Sequence, residues 1–137
     1  MQLGISEILE KVSKFKTESE IVNALRENNC PALLTILQGA FDERIKWLLP
    51  DTDPPYKENE AHEVHNVLHS ESRKMYLFIE NGHNSLKQTR RETLFIEILE
   101  SVHRNDAKIL LAIKNKTLPY SNITKKVVNE AFPGLCA

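Results

Sequence analysis

Apolar residues recur at spacings of three and four along almost the whole chain, and no segment alternates with a period of two. Ile5, Ile8, Leu9 and Val12 open the pattern. Ile21, Val22 and Leu25 continue it, followed by Leu33, Leu34, Ile36 and Leu37. Leu94, Phe95, Ile98, Leu99 and Val102 form the strongest stripe, and Ile109, Leu110 and Ile113 and then Ile123, Val127, Val128, Ala131 and Phe132 complete it. Stripes of this period can be buried only against other helices. The chain is therefore expected to be all-α, with about seven or eight short helices.

Local signals set the boundaries. Thr17-Glu18-Ser19-Glu20 reads as a capping box in which the Thr17 hydroxyl accepts from the Glu20 amide and the Glu20 carboxylate returns to the Thr17 amide. Asn28-Asn29 ends that helix, and Pro31 suits the first turn of the next, where its missing N–H costs nothing. Ile45 to Leu49 is a short segment stopped by Pro50, and the loop from Asp51 to about Asn66 contains Pro54 and Pro55. Helix is expected again around Ser70, with Met75, Leu77, Phe78 and Ile79 inward and a stop at Asn81-Gly82. Asn105 is the expected cap of the following helix, and Ser121 or Asn122 that of the last. At 137 residues the chain has the length of one domain, 1–137, without an internal repeat.

Catalytic signatures are absent. There is no Gly-x-Ser-x-Gly elbow, no Walker loop and no dinucleotide fingerprint, so no catalytic residue and no cofactor is nominated. Cys30 and Cys136 have neither disulfide-framework nor metal-ligand spacing, which makes a reducing cytoplasm the expected setting. No apolar run has the length of a membrane span, and Glu7, Glu10 and Lys11 interrupt any signal-peptide pattern. His62, His65 and His69 stand at i, i+3 and i+7, one face of a helix. However, His62-Glu63-Val64-His65 is one residue short of the zinc-peptidase spacing and borders the irregular loop. A metal site is not expected there.

Charge carries more information. The formal net charge of -1 conceals a balance of -5 over residues 1–65 and +4 over residues 66–137. The basic residues fall in groups: Arg73-Lys74, Lys87 with Arg90 and Arg91, Lys114 with Lys116, and Lys125 with Lys126. The last two groups flank Thr117, Tyr120, Ser121, Asn122 and Thr124, small polar residues that can donate to a phosphate at a helix start.

The stretch LLAIKNKTLPYSNITKKVVNEAFPGL, Leu110 to Leu135, resembles the closing segment of the N-terminal helical DNA-binding domain of ATP-dependent DNA ligases, especially those of T-even-type phages. The match includes a helix ending in a basic residue, a polar turn, a helix starting near a serine, and the ending Phe132-Pro133-Gly134-Leu135. ILEKVSKFKTESEIVNALREN, Ile8 to Asn28, is similar to that domain's first two helices. The whole chain also looks like a small protein family of T-even-like phages, including those of cyanobacteria.

The resemblance implies a single helical module, acting in the host cytoplasm, that grips double-stranded DNA by its backbone. By position it makes Thr117, Ser121, Asn122, Thr124 and Lys125 the phosphate-contacting turn, and the grouping of basic residues adds Lys114, Lys116, Lys126, Arg90 and Arg91 to the expected contact set. The ligase loop usually carries a glycine where this chain has Leu118-Pro119-Tyr120, and the proline removes one amide donor. No Lys-x-Asp-Gly adenylation motif occurs, so ligation is not expected. The alternative is an adaptor that binds a phage or host replication or transcription protein, with Trp47, Leu48 and Leu49 as its docking residues.

Overall fold

The computed structural model describes residues 3–61 and 64–137. Among these there are seven α-helices, one 3-10 helix and no strand. The helices are α1 (Ile5–Ser13), α2 (Glu18–Glu27), α3 (Pro31–Phe41), α4 (Val67–Glu71), α5 (Gln88–Ser101), α6 (Arg104–Ile113) and α7 (Lys125–Ala131). The 3-10 helix, Ser72–Phe78, continues directly from α4. None of the described helices is long and apolar enough to cross a membrane.

The stripes read from the sequence make one core. Leu9, Leu25, Leu33, Ile36, Leu37, Leu99, Leu110 and Val128 are fully enclosed. Helix α2 packs on α7 and α5 on α6, while α3 touches α4, α6 and the 3-10 helix. Phe78 and Phe95 meet edge to face with centroids 5.3 Å apart, which joins the 3-10 helix to α5.

Several caps follow the sequence and others depart from it. The Thr17 hydroxyl accepts from the Glu20 amide at 3.2 Å, but the Glu20 carboxylate receives the Thr17 hydroxyl at 2.8 Å rather than its amide. Pro31 occupies the first turn of α3. Helix α6 is capped by His103, not by Asn105: the His103 Nδ1 accepts from the Asn105 amide at 3.1 Å. Helix α7 starts two to three residues later than expected, because Thr124, whose hydroxyl accepts from the Val127 amide at 3.4 Å, is its cap.

The segment before the proline loop is extended. The Leu48 amide donates to the Phe78 carbonyl and the Glu80 amide to the Lys46 carbonyl, at 2.7 and 2.8 Å, so Trp47 lies opposite Ile79. The Trp47 indole donates to the Gly39 carbonyl at 2.9 Å. A Cβ at position 39 would stand 2.8 Å from the ring, so glycine is what lets the indole lie on α3. Trp47 is thereby a packing residue, not a free docking one.

At the start of α1 several ionisable groups converge. Asp106 is fully buried, and its Oδ1 accepts from the Ser6 amide at 2.8 Å while its Oδ2 has no partner among the described residues. Burial pushes the Asp106 carboxyl above its ordinary pKa. His65 stacks on His103 with centroids 4.8 Å apart and places its Nδ1 3.3 Å from the Glu7 carboxylate.

His103 must stay neutral at Nδ1 to accept the cap bond, and burial lowers its pKa against the pull of Asp106. The unfolded chain therefore binds that proton more readily. This contribution to stability is complete above about pH 6.5 and is lost as the pH falls below it. Asp106 works in the opposite sense, since its raised pKa favours the fold toward acid. Urea unfolding should show His103→Asn, which keeps a capping oxygen, losing less stability than the wild type between pH 7 and pH 5. Equal losses would exclude His103 as the titrating group.

Candidate nucleic-acid interface

The residues of the expected DNA contact set have different fates. Lys114 is buried, and its ammonium donates to the Pro50 and Asp51 carbonyls at 2.9 and 3.0 Å. Asn115 donates to the same Asp51 carbonyl at 3.1 Å. Together they fasten the proline loop to the end of α6.

Lys116 serves a second helix end. It has a left-handed φ of 61° in the turn that closes α6, two residues past the Lys114 cap. Its amide bonds to the Ile113 carbonyl at 2.9 Å, and the Thr117 amide to the Ala112 carbonyl at 3.2 Å. Glycine is usual at such a position. Here the lysine side chain spans to α3 and donates to the Gly39, Asp42 and Ile45 carbonyls at 3.0, 2.6 and 3.2 Å. A cation among the last carbonyls of α3 also complements that helix's dipole. Desolvation lowers the Lys116 pKa, and the Asp42 carboxylate opposes the shift.

Arg91 is buried as well. Its guanidinium donates to the Leu77 carbonyl at 2.9 Å, the His83 carbonyl at 3.2 Å and the Gln88 side chain at 2.6 Å. Arg90, its neighbour, is exposed and stands 4.0 Å from Glu97. Three members of the expected set thus already have intramolecular partners. Buried Lys114 and Arg91 have their donors engaged within the fold, and the ammonium of exposed Lys116 is engaged on three backbone carbonyls.

Asn122 has a positioning role. Its amide donates to the Ser13 carbonyl at 2.7 Å and the Phe15 carbonyl at 3.2 Å, clamping the end of α1 to the turn before α7. Exposed Lys14 and Lys16 are thereby carried to the corner that holds exposed Ser121, Thr124 and Lys126 and half-buried Lys125. Lys125 lies 3.5 Å from Glu43 and Lys126 3.1 Å from Glu18. Both carboxylates are exposed, at 83% and 59%, so the pairs are open to water. Thr117 is exposed on the far side of the Leu118-Pro119-Tyr120 turn.

Lys14 and Lys16 are absent from the expected set because they sit in the acidic half, where Glu7, Glu10, Glu18 and Glu20 offset them in the sum. The spacing of Lys11, Lys14 and Lys16 at the end of the first helix is the local signal that marks them.

Of the histidine series, the two described members have different partners. His65 faces Glu7, while His69 places Nε2 2.8 Å from the Leu3 carbonyl. His62 lies outside the described residues. Among those described, no group of three His, Cys, Asp or Glu side chains has the geometry to hold a metal ion.

The fold and this corner define a small all-helical protein with a mixed-charge surface and with several lysine and arginine side chains tied to backbone carbonyls. Residues 8–120 match a family of unknown function, DUF6433, and the chain belongs to that family. No curated protein and no solved structure matches it.

Proposed function

We propose that this chain is a non-enzymatic accessory module that binds duplex DNA through its backbone, in phage replication, repair or recombination within the host cytoplasm. The observation that carries the reading is the Asn122 clamp, which holds the chain between Lys14 and Lys16 against the turn that leads into Lys125 and Lys126. Exposed ion pairs contribute little, so Glu18 and Glu43 can surrender Lys126 and Lys125 to a phosphate at small cost. The ligase-like ending from Leu110 to Leu135 supports the same reading. Helix α7 is short and Thr124 already occupies one of its first amides, so the lysine charges, not the helix dipole, supply the attraction. Such binding is independent of sequence and weakens steeply with salt.

Fluorescence anisotropy with labelled intact and nicked duplexes at low salt tests the proposal. Saturable binding to random-sequence duplex is expected, and no binding at tens of micromolar protein would exclude it. A protein-binding adaptor is the second reading, favoured by the internal engagement of Lys114, Lys116 and Arg91 and by the carboxylates that face Lys125 and Lys126.

A further inference from the structure

The proline loop and α5 enclose a second surface, away from the lysine corner in sequence and opposite in charge. Its centre is a cavity of about 250 Å³ floored by Leu49, Pro54, Phe95 and Ile96, with Asp53 and Glu92 on its rim. Pockets for drug-sized ligands begin at roughly 300 Å³, so this one has room for a single long side chain rather than a nucleotide or a cofactor.

The cavity is preformed, because its loop wall is fastened at intervals. Lys114 holds the Pro50 and Asp51 carbonyls, and Gln88 holds the Leu48 carbonyl at 2.8 Å. Further on, the Lys57 amide donates to the Glu100 carboxylate at 2.8 Å and Asn59 to the Ser101 carbonyl at 3.1 Å. Proline at 54 and 55 fixes the backbone between these points. A ligand entering here does not have to order the wall.

Charge selects the occupant. Neither Asp53 nor Glu92 has a hydrogen bond or ion pair to a side chain among the described residues. Exposed Asp51, Glu58, Glu60 and Glu100 extend the negative surface along the loop, against Lys57 alone. The Lys114 ammonium also borders the cavity, but its protons are directed to the Pro50 and Asp51 carbonyls and to the Asn115 side chain. Arg91 turns away toward Leu77 and His83.

We infer that this cavity docks an arginine side chain from a basic segment of a protein partner. The arginine stem lies on the apolar floor and its guanidinium meets Asp53 and Glu92, a fork suited to carboxylates and less strongly hydrated than an ammonium. Flanking basic residues of the segment face Glu58, Glu60 and Glu100. DNA is repelled from this surface, so the inference stands independently of the lysine corner.

The test uses a fluorescein-labelled peptide of alternating arginine and glycine, a second in which citrulline replaces every arginine, and a third with lysine. Anisotropy titrations against the full chain are expected to show binding of the arginine peptide, weaker binding of the lysine peptide, and none of the citrulline peptide. Combined Asp53→Asn and Glu92→Gln should weaken the arginine peptide at least about tenfold, because these two carboxylates flank the seated guanidinium directly. Combined Glu58→Gln and Glu60→Gln should weaken it less than about threefold, as loss of rim charges does. Equal losses from the two variants would show diffuse attraction and overturn the inference, as would no binding of the arginine peptide at millimolar concentration. Both variants change only side chains at the surface or the cavity rim, and circular dichroism reports their folding. DNA binding by the Asp53→Asn, Glu92→Gln variant should be unchanged, which separates a failure here from a failure at the lysine corner.

Discussion

Arg91→Met is expected to destabilise the protein by roughly 3 kcal/mol, while the same change at Arg90 costs less than about 0.5 kcal/mol. Methionine keeps most of the apolar stem, so the cost at position 91 is the loss of the guanidinium. The Leu77 carbonyl loses its side-chain donor, the His83 carbonyl keeps only the Leu86 amide at 3.4 Å, and the Gln88 side-chain oxygen loses its donor. A buried acceptor left unpaired costs about 1–3 kcal/mol. Arg91→Lys should recover less than half, because an ammonium cannot reach three acceptors that suit a planar fork. Urea unfolding monitored by circular dichroism measures all three variants. A loss below about 1 kcal/mol for Arg91→Met would contradict the role of this residue as a strut.

Changing Lys14, Lys16, Lys125 and Lys126 together to glutamine is expected to abolish measurable DNA binding and leave the fold intact. Each lysine is at the surface, and the two ion pairs broken are exposed ones of small worth. The attraction to phosphates is additive in the number of contacts, so removing four removes nearly all of it. Arg91→Met, studied below its unfolding temperature, should change DNA affinity less than about twofold, because that guanidinium reaches no phosphate. The opposite ranking would place the DNA surface elsewhere.

Arg90 and Arg91 also show what a sequence can convey. They are adjacent, chemically identical and equally close to a helix start, yet one is in water and the other holds three acceptors under the 3-10 helix. The 3.6-residue period places stripes, and so the enclosed Leu99, Leu110 and Val128 were legible. Pro31 and the hydroxyl half of the Thr17 cap were legible too, because they depend on neighbours in sequence. Long polar side chains are not bound by that period. Lys114 and Lys116 reach carbonyls more than sixty residues away, and only the assembled fold brings those acceptors near. The left-handed Lys116 was hidden for the same reason, since a local reading favours glycine there. Thr124 displaced Ser121 and Asn122 as the cap because Asn122 is committed to the end of α1, a contact across 109 residues. That same contact exposes the error of summing charge over half-chains, for it joins lysines from the acidic half to those of the basic half.

The most direct measurement of the central claim is the salt dependence of DNA affinity. Four lysines on phosphates predict that the logarithm of the association constant falls against the logarithm of salt concentration with a slope of about -3.6. In the protein lacking Lys14, Lys16, Lys125 and Lys126 that slope should collapse toward zero along with the affinity. A steep slope that survives the fourfold substitution, or a wild-type slope shallower than about -1, would contradict the account.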